Sequence, residues 1–168
     1  MSFPADIKGC MKDCILSLFW PRKDIVGFFE KHGCTKAEIA SLQIEGENAL
    51  KRHEVVDALF KALAARPDNG LGPFRAMLQS LLTWSHFDPY YFDKLGKLDR
   101  AAANKSLEHL RQLQEIRDAK IKADRERRAA QESVRQQPTA SLEQLRGEYL
   151  DLLANKTSRQ QRGDALEC

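Results

Sequence analysis

Thiols, carboxylates and basic residues beside aromatics are the side chains here that could do chemistry. Cys10, Cys14, His32 and Cys34 are ligand types that zinc accepts, and Cys10 and Cys14 share one face if that segment is helical. Their spacing is not that of a zinc knuckle, whose paired ligands sit close together on a turn. These cysteines are therefore expected to act as buried small apolar residues, and no metal is expected. No acid or base is placed beside a thiol, so no nucleophile is indicated. His53-Glu54 lacks the second histidine of a metalloprotease helix. Gly70-Leu71-Gly72 lacks the lysine and Ser/Thr of a phosphate loop. Asp88, Asp93 and Asp99 read as helix caps and solvated charges. No catalytic residue, cofactor site or small-molecule site emerges.

Nucleic-acid chemistry has three candidate segments. In Phe19-Trp20-Pro21-Arg22-Lys23, Trp20 could stack on a base while Arg22 and Lys23 hold phosphate; the alternative is a core tryptophan at a helix corner. The turn His32-Gly33-Cys34-Thr35 could join a helix-turn-helix, with Thr35 to Leu42 offering Lys36, Glu38, Ser41 and Gln43 to a groove. Lys120, Lys122, Arg125, Arg127, Arg128 and Arg135 form the densest basic run, interleaved with Asp118, Asp124, Glu126 and Glu132. Alternating signs of this kind make intrahelical pairs, whereas a phosphate-binding stripe would be purer. The net charge of +3, from 27 basic and 24 acidic residues, is too small to imply nucleic-acid binding by itself.

The elements that must position these groups are helices. Strict alternation of β-branched residues is missing, and helix-forming residues dominate, so the chain reads as all-α. The pattern predicts helices over about 4–19, 22–32, 47–65 and from Pro73 to near Trp84, with a short helix opened by a capping box at Thr35 and Glu38. Pro21 separates the first two, and Gly33 suits a left-handed C-terminal cap. An N-terminal bundle over 1–98 then gives way to a long charged helix over 99–137. Its first half carries a stripe of Leu98, Ala102, Leu107, Leu110, Leu113 and Ile116, within which Leu110, Leu113 and Ile116 are candidate partner-binding residues of a coiled coil. Its second half has only Ile121 and Val134 as large apolar residues, the pattern of a solvated rod or a partner-dependent helix. Pro138 is expected to break it. Ser141 then caps a helical tail bearing Leu142, Leu145, Tyr149, Leu152 and Leu153. No apolar run is long enough to span a membrane and no secretory signal opens the chain, so a cytoplasmic protein with reduced thiols, including Cys168, is expected.

The segment Arg159 to Cys168 reads as the opening of a helix that is not completed, so a truncated larger protein is expected. With Leu142, Leu145-Arg146 and Tyr149-Leu150 before it, the run Arg159-Gln160-Gln161-Arg162-Gly163-Asp164-Ala165-Leu166-Glu167 resembles the junction that precedes the nuclease core in bacterial restriction-endonuclease-like proteins of the PD-(D/E)XK superfamily. The order of helical region, charged helix and junction is similar too. The catalytic signature, Pro-Asp then (Asp/Glu)-x-Lys on adjacent strands, is absent: Pro67-Asp68 lies in a loop with no strand and no Glu-x-Lys after it. The resemblance therefore implies a non-enzymatic accessory region, for targeting or assembly, of a restriction-like DNA-defence protein. The alternative is a helical interaction or regulatory protein that binds itself or a partner through its long helix. DNA remains a possible partner; the interleaved acids favour assembly.

Overall fold

The computed structural model describes residues 3–164, and the side chains of 136–141 and 157–164 lie outside that description. Regular structure among the described residues is helical throughout: α1 Ala5–Leu18, α2 Arg22–Lys31, α3 Lys36–Ala40, α4 Arg52–Ala64, α5 Leu71–Leu82, a π-helical turn Tyr90–Lys94, and α6 Arg100–Asp164. No helix among them is long and apolar enough to cross a membrane. The chain divides into two compact units, Met1–Arg117 and Asp118–Cys168.

In the first unit, α1 buries Ile7, Met11, Cys14, Ile15 and Leu18, the face that spacing of three and four produces. Phe19 is extended and Pro21 follows, which ends α1 and opens α2. α2 ends in a Schellman motif. Gly33 takes φ +102, its amide donates to the Glu30 carbonyl, and the Cys34 amide donates to the Phe29 carbonyl. Gly70 is the other glycine that the fold demands. It has φ +63, and a Cβ there would lie 2.7 Å from the Leu63 carbonyl oxygen. The Gly70-Leu71-Gly72 run therefore serves a tight entry to α5.

α4 begins at Arg52, later than the apolar pattern predicts. Gly46 turns the chain at φ +95, the Leu50 amide donates back to the Gln43 carbonyl, and Glu54 accepts from the Lys51 amide at 2.6 Å. Those bonds hold 43–51 out of the helix and set its start.

The bundle does not end near residue 98. Asp99 caps α6 by accepting from the Ala101 amide at 2.9 Å. One turn later α6 enters the core: Ala103, Leu107 and Leu110 are each 1% exposed or less. Ala102, expected on this stripe, is exposed, because the inward face is set by the 103, 107, 110 spacing.

Three arginines, each distant in sequence, cap helix ends in this unit. Arg52 donates to the Leu16 and Phe19 carbonyls at the end of α1. Arg66 donates to the Gly33 carbonyl, just past α2. Arg111 donates to the Leu82 and Trp84 carbonyls, at the end of α5. Arg52 and Arg111 satisfy last-turn carbonyls that the helix itself leaves unpaired, and Arg66 binds the residue after the α2 cap; each places a cation at the negative end of a helix dipole.

The described residues of the second unit, 118–164, are the remainder of α6. From 118 to 135 its two large apolar side chains, Ile121 and Val134, are both exposed. The sequence pattern places a break at Pro138; the backbone is helical on either side of Pro138 and at it. A proline costs about 3 kcal/mol in a helix interior, and Thr139 and Ser141 after it are weak helix formers.

A chain ending at Arg117 is expected to melt in one cooperative transition. A chain ending at Leu98, without Ala103, Leu107, Leu110 and the Arg111 cap, is expected to show none. In the full chain, Leu107→Ala should lower stability by about 2–5 kcal/mol, the cost of a cavity in a packed core, read from the urea midpoint.

Candidate functional site

The corner between α1 and α2 carries the aromatic-basic residues. Trp20, Arg22 and Lys23 line a groove of about 470 Å³ together with Ile44, Glu45, Tyr90, Tyr91 and Leu95. The Trp20 ring is half-buried against the core. The Arg52 guanidinium stands 4.6 Å from its centroid and the Lys97 ammonium 5.7 Å. The protein's own cations thus occupy ring surface that stacking on a base would need. Arg22 is half-buried with an unpartnered Nε, and Lys23 is exposed. The corner is a cation-rich aromatic surface in which Arg22 and Lys23 remain the groups able to meet an anion.

The helix-turn-helix expectation is corrected by the length of α3. It has five residues, too few to present a recognition face along a groove. Lys36 is exposed at its first position, but Glu38 is not free. It completes the expected capping box, accepting from the Thr35 amide at 2.7 Å, and it binds Arg66 through two bonds of 2.7 and 2.6 Å. Arg66 and the Thr35 donors hold this carboxyl far below its ordinary range, and Glu38 in turn raises Arg66.

The thiols are buried. Desolvation pushes Cys14 up to about 12 and Cys34 up to about 11, and it raises Cys10. All three are thiols at neutral pH and poor nucleophiles. The His32 ring packs on Phe28 and bonds the Phe28 carbonyl at 2.7 Å, which turns it from Cys34 chemistry to a helix end. His109 of α6 lies 3.4 Å from the Cys10 sulfur, a pairing across 99 positions that no local spacing signals. Among the described residues no group of three or more His, Cys, Asp or Glu is gathered as for a metal. Asp88 caps the Tyr90 amide, and Asp93 pairs with Arg100.

On α6 the partner-binding expectation needs correction. Leu110 is buried in the core, and Leu113 is half-buried against it. The first unit's own folding uses that apolar surface. Ile116, 65% exposed, is the one residue of the three left open. Arg125, Arg127 and Arg128 are exposed, and Arg127 pairs with Asp124 at 3.3 Å, as alternating signs predict. Leu142, Leu145, Tyr149 and Leu152 lie at spacings of three, four and three and are 59–67% exposed. Residues 165–168, with the end of the junction motif and Cys168, lie outside the described residues.

The Glu38 geometry sets a pH dependence. A carboxylate held below its ordinary value of 4.5 stabilises the fold above that value and loses this contribution as pH falls beneath it. Glu38→Gln should therefore cost about 1–2 kcal/mol at neutral pH. The gap to wild type, measured by urea unfolding, should narrow as pH drops below about 4.5. A gap independent of pH would contradict the pairing.

Comparison with protein-family models, curated proteins and solved structures finds no match to this chain.

Proposed function

We propose that this chain is a non-enzymatic assembly module that self-associates through the second unit of α6. One observation carries the reading: Leu142, Leu145, Tyr149 and Leu152 stand exposed on one helix face at heptad spacing. Soluble proteins seldom leave such a stripe open unless it meets another surface. A second copy of the same helix offers a matching stripe, with Arg146 and Glu148 beside the seam. The absence of a catalytic constellation in the sequence, and the high thiol pKa values, support a role without chemistry. The junction motif and the helical layout support placing the module in a restriction-like DNA-defence protein as its accessory region.

Sedimentation velocity tests this. Wild type should move from monomer to dimer as concentration rises. Leu145→Asp should weaken the association at least about tenfold, since exposing one buried leucine costs about 1.5–3 kcal/mol. Arg125, Arg127 and Arg128 changed together to Ala should leave it in place. A wild type that stays monomeric but binds DNA, with a salt slope reduced by the triple change, would replace assembly with nucleic-acid binding.

A further inference from the structure

A second concavity in the first unit has the opposite chemistry to the Trp20 groove. It lies between the end of α1, the first turn of α2 and the segment after α5. It encloses about 140 Å³ and is lined by Phe19, Trp84, Tyr91, Asp24, Asp88 and His86. Phe19 and Trp84 meet edge to face, with centroids 5.4 Å apart. The Trp84 indole N–H donates to the His86 carbonyl, which fixes the ring.

Neighbouring aromatic rings are supplied with cations by the protein. Arg52 and Lys97 stand on Trp20, Lys94 on Tyr90, and Arg100 on Phe87 and Phe92. Among the described residues, no lysine or arginine stands on Phe19, Trp84 or Tyr91. The cavity holds carboxylates instead. Neither Asp24 nor Asp88 has an ion pair among the described residues. One Asp88 oxygen accepts from the Tyr90 amide at 2.9 Å, which leaves the other available. Asp24 sits in the first turn of α2, where the helix dipole favours its charge.

We propose that this cavity binds a compact organic cation, an alkylammonium or guanidinium head, against Phe19, Trp84 and Tyr91 with Asp24 and Asp88 as counter-charge. Aromatic faces attract such cations, and nearby carboxylates add to the attraction. The volume suits the ligand: at about 30 Å³ for each water-sized group, it holds roughly four or five heavy atoms. The Tyr91 hydroxyl is raised first by desolvation and then by Asp24 and Asp88, the carboxylates that line the cavity. Their charge repels anions. The cation can be a free amine or the side chain of a partner protein.

The test follows the Trp84 indole N–H by NMR in the full-length protein. Tetramethylammonium and methylguanidinium chlorides are titrated against sodium chloride at matched ionic strength. Peptides carrying lysine or trimethyllysine form a second arm. A saturable shift of the Trp84 signal, with the Trp20 signal unmoved, is expected. Asp24→Asn should weaken it about tenfold, the loss of one charge contact. Asp88→Ser, which retains a capping oxygen, should weaken it too if Asp24→Asn compromises folding, as judged by thermal melting. Peptides binding far more tightly than the free cations would identify a partner's side chain as the source; equal or weaker binding would identify a free amine. A Trp84 shift no different from that with sodium chloride, or one indifferent to both substitutions, would overturn the proposal.

Discussion

The supply of apolar surface along α6 is the constraint on which the structure depends. Ala103, Leu107 and Leu110 give the bundle its last buried layer, and Leu113 is the last apolar residue to touch it. From 118 to 135 the helix has nothing large to bury beyond two exposed residues, Ile121 and Val134. Over that stretch helical structure rests on residue propensity and pairs such as Arg127 with Asp124, worth a few tenths of a kcal/mol each. Apolar surface returns at Leu142. A single helix thus completes a core in one unit and offers an open face in the other, and the two properties belong to different residues.

The bundle is secured by charge at helix ends as well as by burial. Arg52 and Arg111 reach carbonyls that a helix cannot satisfy internally, and Arg66 reaches the carbonyl just past α2. These bonds tie α4, the loop after it and α6 to elements distant in sequence. They also consume cations that composition alone leaves available to a phosphate backbone. Arg52 does both things at once, capping α1 while standing on Trp20.

The local elements were legible in the sequence. The capping box at Thr35 and Glu38, the left-handed Gly33 and the separation of α1 from α2 at Pro21 all follow from neighbouring residues, and the structure contains each. What depends on distant partners was not legible. The Leu110 face looks the same in sequence whether it meets its own core or a second chain. Glu38 reads as a capping-box carboxylate, but its pairing with Arg66, 28 positions away, leaves no local signal. α4 starts at Arg52 rather than near Glu47 because the Leu50 amide bonds back to the Gln43 carbonyl, a contact that helical composition does not signal. The cavity at Trp84 gathers residues from three segments, which no local pattern brings together.

Amide hydrogen exchange, read along α6 as a function of protein concentration, tests the central claim most directly. Amides around 103–113 should be protected at the level of global unfolding at every concentration, because the core holds them. Amides around 142–152 should exchange quickly in dilute protein and become protected as concentration rises. Protection there that is already at the bundle's level in dilute protein, or that never responds to concentration, would contradict the account.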